Sequence, residues 1–174
     1  MYKKGQAAME YLMTYGWAIL VIVIVLALLA FYLPSLIKSP ENCLFSQPGF
    51  SCNEKKAAIV LNSTTNGVDL GFSLSNKQSE GIKVVGVLCT TDSVGNLDKT
   101  QMDTFQAGSI ASGASTAFST PCLKTDNGVS NAVNMKANSD FKGTLAVWYN
   151  FDSDLSSTPN RLATATVTGT VLSQ

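Results

Sequence analysis

Residues 17–33 read WAILVIVIVLALLAFYL, a run from Trp17 to Leu33 with no charge and no strongly polar group. Leu12, Met13 and Gly16 extend it backwards. Crossing the roughly 30 Å hydrocarbon layer of a bilayer takes about 20 apolar residues in a helix, and this stretch meets that length. Aromatic rings stand at both ends, Tyr11, Tyr15 and Trp17 before the run and Phe31 and Tyr32 at its close, where two membrane interfaces would hold them. Lys3 and Lys4 precede the span, whereas Lys38 is the one basic residue soon after it. Positive charge resists translocation, so the N-terminus is expected to stay cytoplasmic and everything after Pro34 to lie outside. Pro34 lacks a helical donor and disfavours helix at Leu33, so the helix is expected to end or kink there. A secretory h-region is shorter and closes on a small-x-small site; Leu28-Leu29-Ala30 matches that poorly, so the span should be retained.

Outward from this run the composition changes. From Ser39 to Gln174, Ser, Thr and Asn together make up 45 of 136 residues, a bias towards turns and strands. Val68, Leu70, Phe72 and Leu74 alternate with Asp69, Gly71, Ser73 and Ser75, the pattern of a half-buried strand. Ala57 to Leu61 is a short apolar run before it, and Asn66-Gly67 suits a type I′ hairpin turn with two positive φ angles. Ile82 to Cys89 predicts a third strand, with Val84-Val85 breaking the alternation as a bulge does. Leu145, Val147, Tyr149 and Phe151 mark another, and Ala163, Ala165, Val167 and Val171 a last one beyond Pro159. Weaker strand signals lie at Ser115 to Ser119 and Ala132 to Lys136. Some seven short strands without a second long helix predict an α+β chain: one N-terminal hydrophobic transmembrane or assembly helix, then an all-β, sandwich-like outer domain.

The whole chain has 174 residues, with 12 Lys+Arg against 12 Asp+Glu, so nothing in its net charge draws it to nucleic acid. It contains no His, which removes Ser-His-Asp and Cys-His nucleophiles and His-ligated zinc together. Cys43, Cys52, Cys89 and Cys122 all follow the span. An even number confined to the translocated part fits two disulfides, with three connectivities open; the short Cys43–Cys52 loop favours that pair, and Cys89 with Cys122. Buried free thiols are the bland alternative, and metal binding lacks the close C-x-x-C pairs it needs. Asn62-Ser63-Thr64 is the one N-x-S/T sequon, which makes Asn62 a glycosylation candidate.

At the inner end, Lys3-Lys4-Gly5-Gln6-Ala7-Ala8-Met9-Glu10 abuts the apolar run. This segment resembles the class III signal peptide of archaeal type IV pilins: a short basic leader, a Gly, a Gln that begins the mature chain, a Glu four residues on, and a long hydrophobic helix. The family's usual Ser is Ala8 here and its frequent Leu is Thr14, so the likeness rests on Gly5, Gln6, Glu10 and the helix. It implies cleavage by a prepilin peptidase between Gly5 and Gln6, with Lys3 and Lys4 as the leader charge. The implied organisation is a cleaved leader over 1–5, a helix over 6–33 that spans the membrane and forms the filament core, a linker over 34–42 and a β-rich head over 43–174. The implied partners are identical subunits in a helical homopolymer, the prepilin peptidase, and an assembly ATPase with its membrane platform. The precursor would be a single-pass membrane protein with its C-terminal domain outside, and the assembled form an extracellular surface filament serving adhesion or surface contact.

The junction has a physical logic of its own. Gln6 and Glu10 are one turn apart and share a helix face. Cleavage would expose an α-amine at Gln6 beside the Glu10 carboxylate, although an N-terminal Gln can cyclise and lose that charge. A charged group near the centre of a spanning helix costs roughly 2.5–3.5 kcal/mol on insertion scales. Pairing with the amine of a neighbouring copy would offset this at one axial offset only, which would set register in an assembly. Alternatively, with the embedded part starting near Leu12, Glu10 sits hydrated at the interface and costs little. All-round apolarity suits lipid and a bundle of identical helices equally.

Two rivals stand beside the filament subunit. One is a single-span surface protein, a receptor or adhesin with a β-sandwich ectodomain, that never polymerises. The other is a membrane-anchored enzyme working through Asp or Glu pairs, but no carboxylate pair stands out, and no enzyme activity or cofactor is expected. Asn150, Asp152, Asp154 and Ser156 alternate faintly like a calcium loop but lack the Gly and distal Glu of an EF-hand, so a polar turn is expected and no metal. Asp98 to Asp103 suits a short helical turn, and the Gly, Ser and Ala of Ala107 to Thr120 a flexible loop with one strand.

Overall fold

A computed structural model of the chain describes residues 3–36, 40–93, 95, 97, 100, 108–126, 129–155 and 159–173. Apart from Thr100, the helical turn expected over 98–103 lies outside these residues, as do Lys38 and Ser156. The chain divides into two compact units, Met1–Lys38 and Ser39–Gln174, each with its own internal contacts.

The first unit is a single helix, α1, over Lys3–Leu36. Its 34 residues rise about 51 Å at 1.5 Å each. From Trp17 to Leu33 the run of Leu, Ala and β-branched residues contains neither Gly nor Pro, and Gly16 just before it is carried by the strong helix formers around it. Helix extends beyond the expected 6–33 at both ends, and it does not stop at Leu33. Pro34 removes one backbone donor close to the C-terminal end, a local loss that leaves the last turn helical to Leu36.

The second unit holds nine strands among the described residues: β1 (Asn42–Phe45), β2 (Phe50–Leu61), β3 (Val68–Asn76), β4 (Ile82–Thr90), β5 (Gly108–Ile110), β6 (Ser115–Asp126), β7 (Val129–Ala132), β8 (Asp140–Phe151) and β9 (Arg161–Thr170). They pair in the order β1-β9-β8-β4-β6-β3-β2, with β5 added to β4 and β7 to β6. The chain is therefore α+β, one apolar helix followed by a β-rich domain. β6 is the link between the two parts of this path. Its Ser115–Pro121 half pairs antiparallel with β3, and at Cys122 and Leu123 it runs parallel to β4. Pro121, with no N–H to donate, stands at the changeover, where a ladder bond is given up anyway. The two ends of the path meet again: the Cys43–Cys52 disulfide joins β1 to β2, and Leu172 bonds both Leu61 N (3.0 Å) and Ile59 O (2.8 Å) on β2.

Burial follows the alternation where one face is solvated. In β3, Val68, Leu70, Phe72 and Leu74 are buried and Asp69, Gly71 and Ser73 between them half exposed, and the strand closes on buried Ser75 and Asn76. They pack with Ile59, Ile82, Val84, Val87, Leu145, Val147, Ala163, Ala165 and Val167 in one core. The bulge expected in β4 is present, as the register to β8 shifts between Val84 and Gly86. Val171 lies one residue beyond β9 yet is fully buried.

Several expected features differ. β2 begins at Phe50, seven residues before Ala57, because an irregularity between Cys52 and Ala57 absorbs the polar 53–56 segment. The hairpin after it is not a two-residue I′ turn. Asn66 has φ 52°, but Gly67 is not left-handed, and the closing bond runs from Asn62 N to Gly67 O at 2.8 Å around a longer loop. Asn62 Oδ1 caps that loop by accepting from Thr64 N (3.0 Å) and Thr65 N (3.3 Å), so the side chain decides the turn. The strand expected over Ala132 to Lys136 lies upstream, at β7, and Asn134 makes only an isolated bridge to Gly67. Within Ala107 to Thr120 the described residues hold two strands, β5 and the start of β6, where one was expected.

Four loops at one end of the domain are braced through Asn76, which is fully buried. Its Nδ2 donates to Glu80 O (2.8 Å) and Ile110 O (3.1 Å), and its Oδ1 accepts from Gln78 N (3.0 Å). Gln78 Nε2 donates in turn to Pro48 O, Ser112 Oγ to Gln78 O, and Ser153 N to Glu80 Oε1. The buried Asn76 side chain thus has partners for both its amide nitrogen and its oxygen.

Candidate functional site

The feature that most needs a function is the surface of α1. From Met9 to Leu33 the helix is long and apolar enough to cross a membrane, and its described side chains are exposed. Trp17 is 72% exposed and Phe31 86%. A contiguous apolar surface this large is not stable in water and requires lipid or another protein surface.

Gly5 and Gln6, the expected cleavage pair, lie on the helical backbone two and three residues from its start, with Lys3 and Lys4 as its first two residues. The side chains of these residues are outside those described. Helix ends fray at low cost, so a protease that needs extended backbone could open this first turn without disturbing the span. Glu10 stands one turn beyond Gln6 and is exposed. Thr14, noted in the sequence only as a departure from Leu, donates its hydroxyl to the Glu10 carbonyl at 2.9 Å. Tyr11 and Tyr15, one turn apart, stack with ring centroids 4.7 Å from each other. The i, i+4 spacing visible in the sequence was the signal for both contacts.

On the β-domain the cysteines form two disulfides, Cys43–Cys52 with Cα atoms 5.8 Å apart and Cys89–Cys122 at 4.4 Å. Both pairs are buried. Asn62 is half exposed, and its Nδ2, the atom a glycan would modify, donates to Asp69 Oδ2 at 2.8 Å. Asn62 is thus a structural cap of its hairpin, whatever else it carries.

The stretch that alternates oxygens is a braced turn. Asp154 accepts from Phe151 N (2.8 Å) and, through both oxygens, from Arg161 Nε (3.3 Å) and Nη2 (3.0 Å). Arg161 also lies 5.0 Å from the centre of the Phe151 ring. Among the described residues no group of three or more Cys, Asp or Glu could hold a metal ion. The Arg161 hydrogen bond, then the Phe151 N–H, hold the Asp154 carboxyl below the usual carboxylate range, and Arg161 is raised in return. A depressed folded value means that this contribution is present above the ordinary carboxylate pKa and is lost as pH falls through the folded one. Asp154→Asn should therefore lower stability at pH 7 and flatten its decline below about pH 4. Urea titrations of both proteins at pH 7 and pH 3 check this; an equal acid loss in the two proteins would contradict it.

No family model matches the chain, and no curated protein matches it.

Proposed function

We propose that the chain is the structural subunit of an archaeal type IV pilus-like surface filament, which polymerises through α1 and presents its β-domain for adhesion or surface contact. The observation that carries this reading is the uncovered apolar helix that bears a Gly5-Gln6 junction and a single carboxylate, Glu10, at its inner end. In the membrane the helix is solvated by lipid. In the filament the same side chains bury one another, and the hydrophobic effect holds the shaft. We read the head as a β-sandwich in which β6 passes from one layer to the other, stapled by two disulfides of the kind that persist outside the cytoplasm. The prepilin peptidase, the assembly ATPase and its platform enter as the partners such a subunit requires.

Mass spectrometry of the mature N-terminus, on filaments sheared from cells, tests this. The expected chain begins at Gln6, as the free amine or its cyclised form. A chain beginning at Met1, found only in the membrane fraction, would replace this reading with the anchored, non-polymerising surface protein.

A further inference from the structure

The segments 62–67, NSTTNG, and 134–139, NMKANS, are far apart in the chain, and each is rich in amide and hydroxyl side chains. The fold joins them. Gly67 forms a bridge with Asn134, and Leu172 is bonded to Leu61 N and Ile59 O. Asn138 N donates to Val171 O (2.8 Å), Val171 N to Ser139 O (2.9 Å) and Ser139 Oγ to Lys136 O (2.6 Å). The segments held in this way line two adjoining depressions of about 230 and 610 Å³, which share Asn66 and Met135 and so form one groove open to solvent. It lies at the end of the β-domain opposite the Asn76 loops, because β3 runs from Val68 beside this hairpin to Asn76.

Along the groove Asn66, Asn134 and Lys136 are exposed, whereas Leu61 and Met135 are half-buried. Among the described residues the side chains of Asn66, Asn134 and Lys136 make no hydrogen bond or ion pair, so their polar atoms are open to a ligand. An amide offers donors and an acceptor together, which complements the hydroxyls of a sugar. The apolar surface of Leu61 and the adaptable Met135 thioether suit the C–H face of a pyranose ring. Lys136 is the one charged residue lining the groove among those described, so a carboxylate on the sugar gains a partner there. Backbone bonds between the segments fix these groups before a ligand arrives, which lowers the ordering cost of binding.

We propose that this groove binds a short acidic saccharide, with Lys136 on the carboxylate and Asn66 and Asn134 on the hydroxyls. The inference deepens the adhesion half of the reading above by naming a ligand class, and it does not require polymerisation. The saccharide can be external or can be attached at Asn62, which lines the smaller depression.

The test titrates the isotope-labelled full-length chain in detergent, produced without glycosylation, with tetragalacturonate as the acidic probe and maltotetraose as the neutral one, followed by amide chemical shifts. Wild type is expected to show saturable shifts at Asn66, Asn134 and Lys136, with a dissociation constant on the order of 1 mM for tetragalacturonate and weaker binding of maltotetraose. Lys136→Gln should weaken the acidic probe roughly three- to fivefold and leave the neutral one unchanged. Asn66→Gly/Asn134→Ala should weaken both probes about tenfold, and Gly accepts the positive φ of Asn66, so the turn is kept. Unshifted signals elsewhere in the domain show that each variant is folded. No saturable shifts with either probe, shifts centred on the Asn76 loops, or a Lys136→Gln protein that binds both probes as wild type does overturns the proposal and leaves the filament reading intact. A mature N-terminus at Met1 overturns the filament reading and leaves the groove intact. Mass spectrometry of the Asn62 peptide from native material separates the two sources. A glycan there that blocks uptake of the added probe makes the chain's own sugar the occupant, and any other result makes the occupant external.

Discussion

Trp148→Ala is expected to destabilise the β-domain by about 3–5 kcal/mol, the range for removing a large aromatic side chain from a packed interior. Trp148 is 1% exposed, yet it does not face the main core. Its neighbours Val147 and Tyr149 do, so the indole lies on the opposite face of β8, where it clusters with Leu88 and Ala146 beneath Val85, Leu97 and Leu123. Across the ladder its partner on β4 is Gly86, and a residue without a side chain leaves that surface to the ring. Truncation would open a cavity roofed by residues from three other segments, and Leu97 would lose its anchor. Leu162, the partner of Trp148 on β9, is 37% exposed, and its truncation should cost under about 1 kcal/mol. Urea unfolding of the full-length protein in detergent, followed by near-ultraviolet circular dichroism, separates the two. A Trp148→Ala loss no larger than that of Leu162→Ala would mean that the second cluster is not packed.

That cluster also marks where the sequence stops being legible. β3 could be read because one face is core and the other solvent, and the pleat converts this into alternation. β8 is buried continuously from Leu145 to Tyr149, so alternation identifies Leu145, Val147 and Tyr149 and is silent on Ala146 and Trp148. What covers those two comes from Leu97 and Leu123, far away in the chain, and no local pattern announces it. The start of β2 was hidden for a related reason, since the charged 53–56 segment reads as loop while the strand continues through an irregularity. Asn66 was readable as a left-handed residue, but the loop around it was set by the Asn62 side chain, whose capping bonds the Asn66-Gly67 pair does not encode. In the candidate site, Gly5, Gln6 and Glu10 are visible as residue types at fixed spacing.

Removing the Cys89–Cys122 disulfide as Cys89→Ala/Cys122→Ala should lower stability by about 3–4 kcal/mol, and removing Cys43–Cys52 in the same way by about 2–3 kcal/mol. The order follows from the loops that each bond closes in the unfolded chain, 33 residues apart for the first and 9 for the second. Alanine pairs are used so that no buried thiol is left to pair wrongly. The native state gives each bond a different place: Cys89–Cys122 sits on the parallel β4–β6 contact, where β6 leaves β3 for β4, whereas Cys43–Cys52 ties the two ends of the strand path. If the unfolded-state entropy dominates, the longer loop wins, and denaturant midpoints at unchanged m-value will rank the variants in that order. A reversed ranking would show that closing the strand path between β1 and β2 matters more to the folded domain than loop entropy does. Disulfides form and persist chiefly under oxidising conditions, so a β-domain kept reduced would lack both contributions together. Their combined loss, of order 5–7 kcal/mol, is comparable with the whole stability of an ordinary domain. Full-length chain prepared under reducing conditions should therefore show a largely unfolded β-domain beside an intact helix.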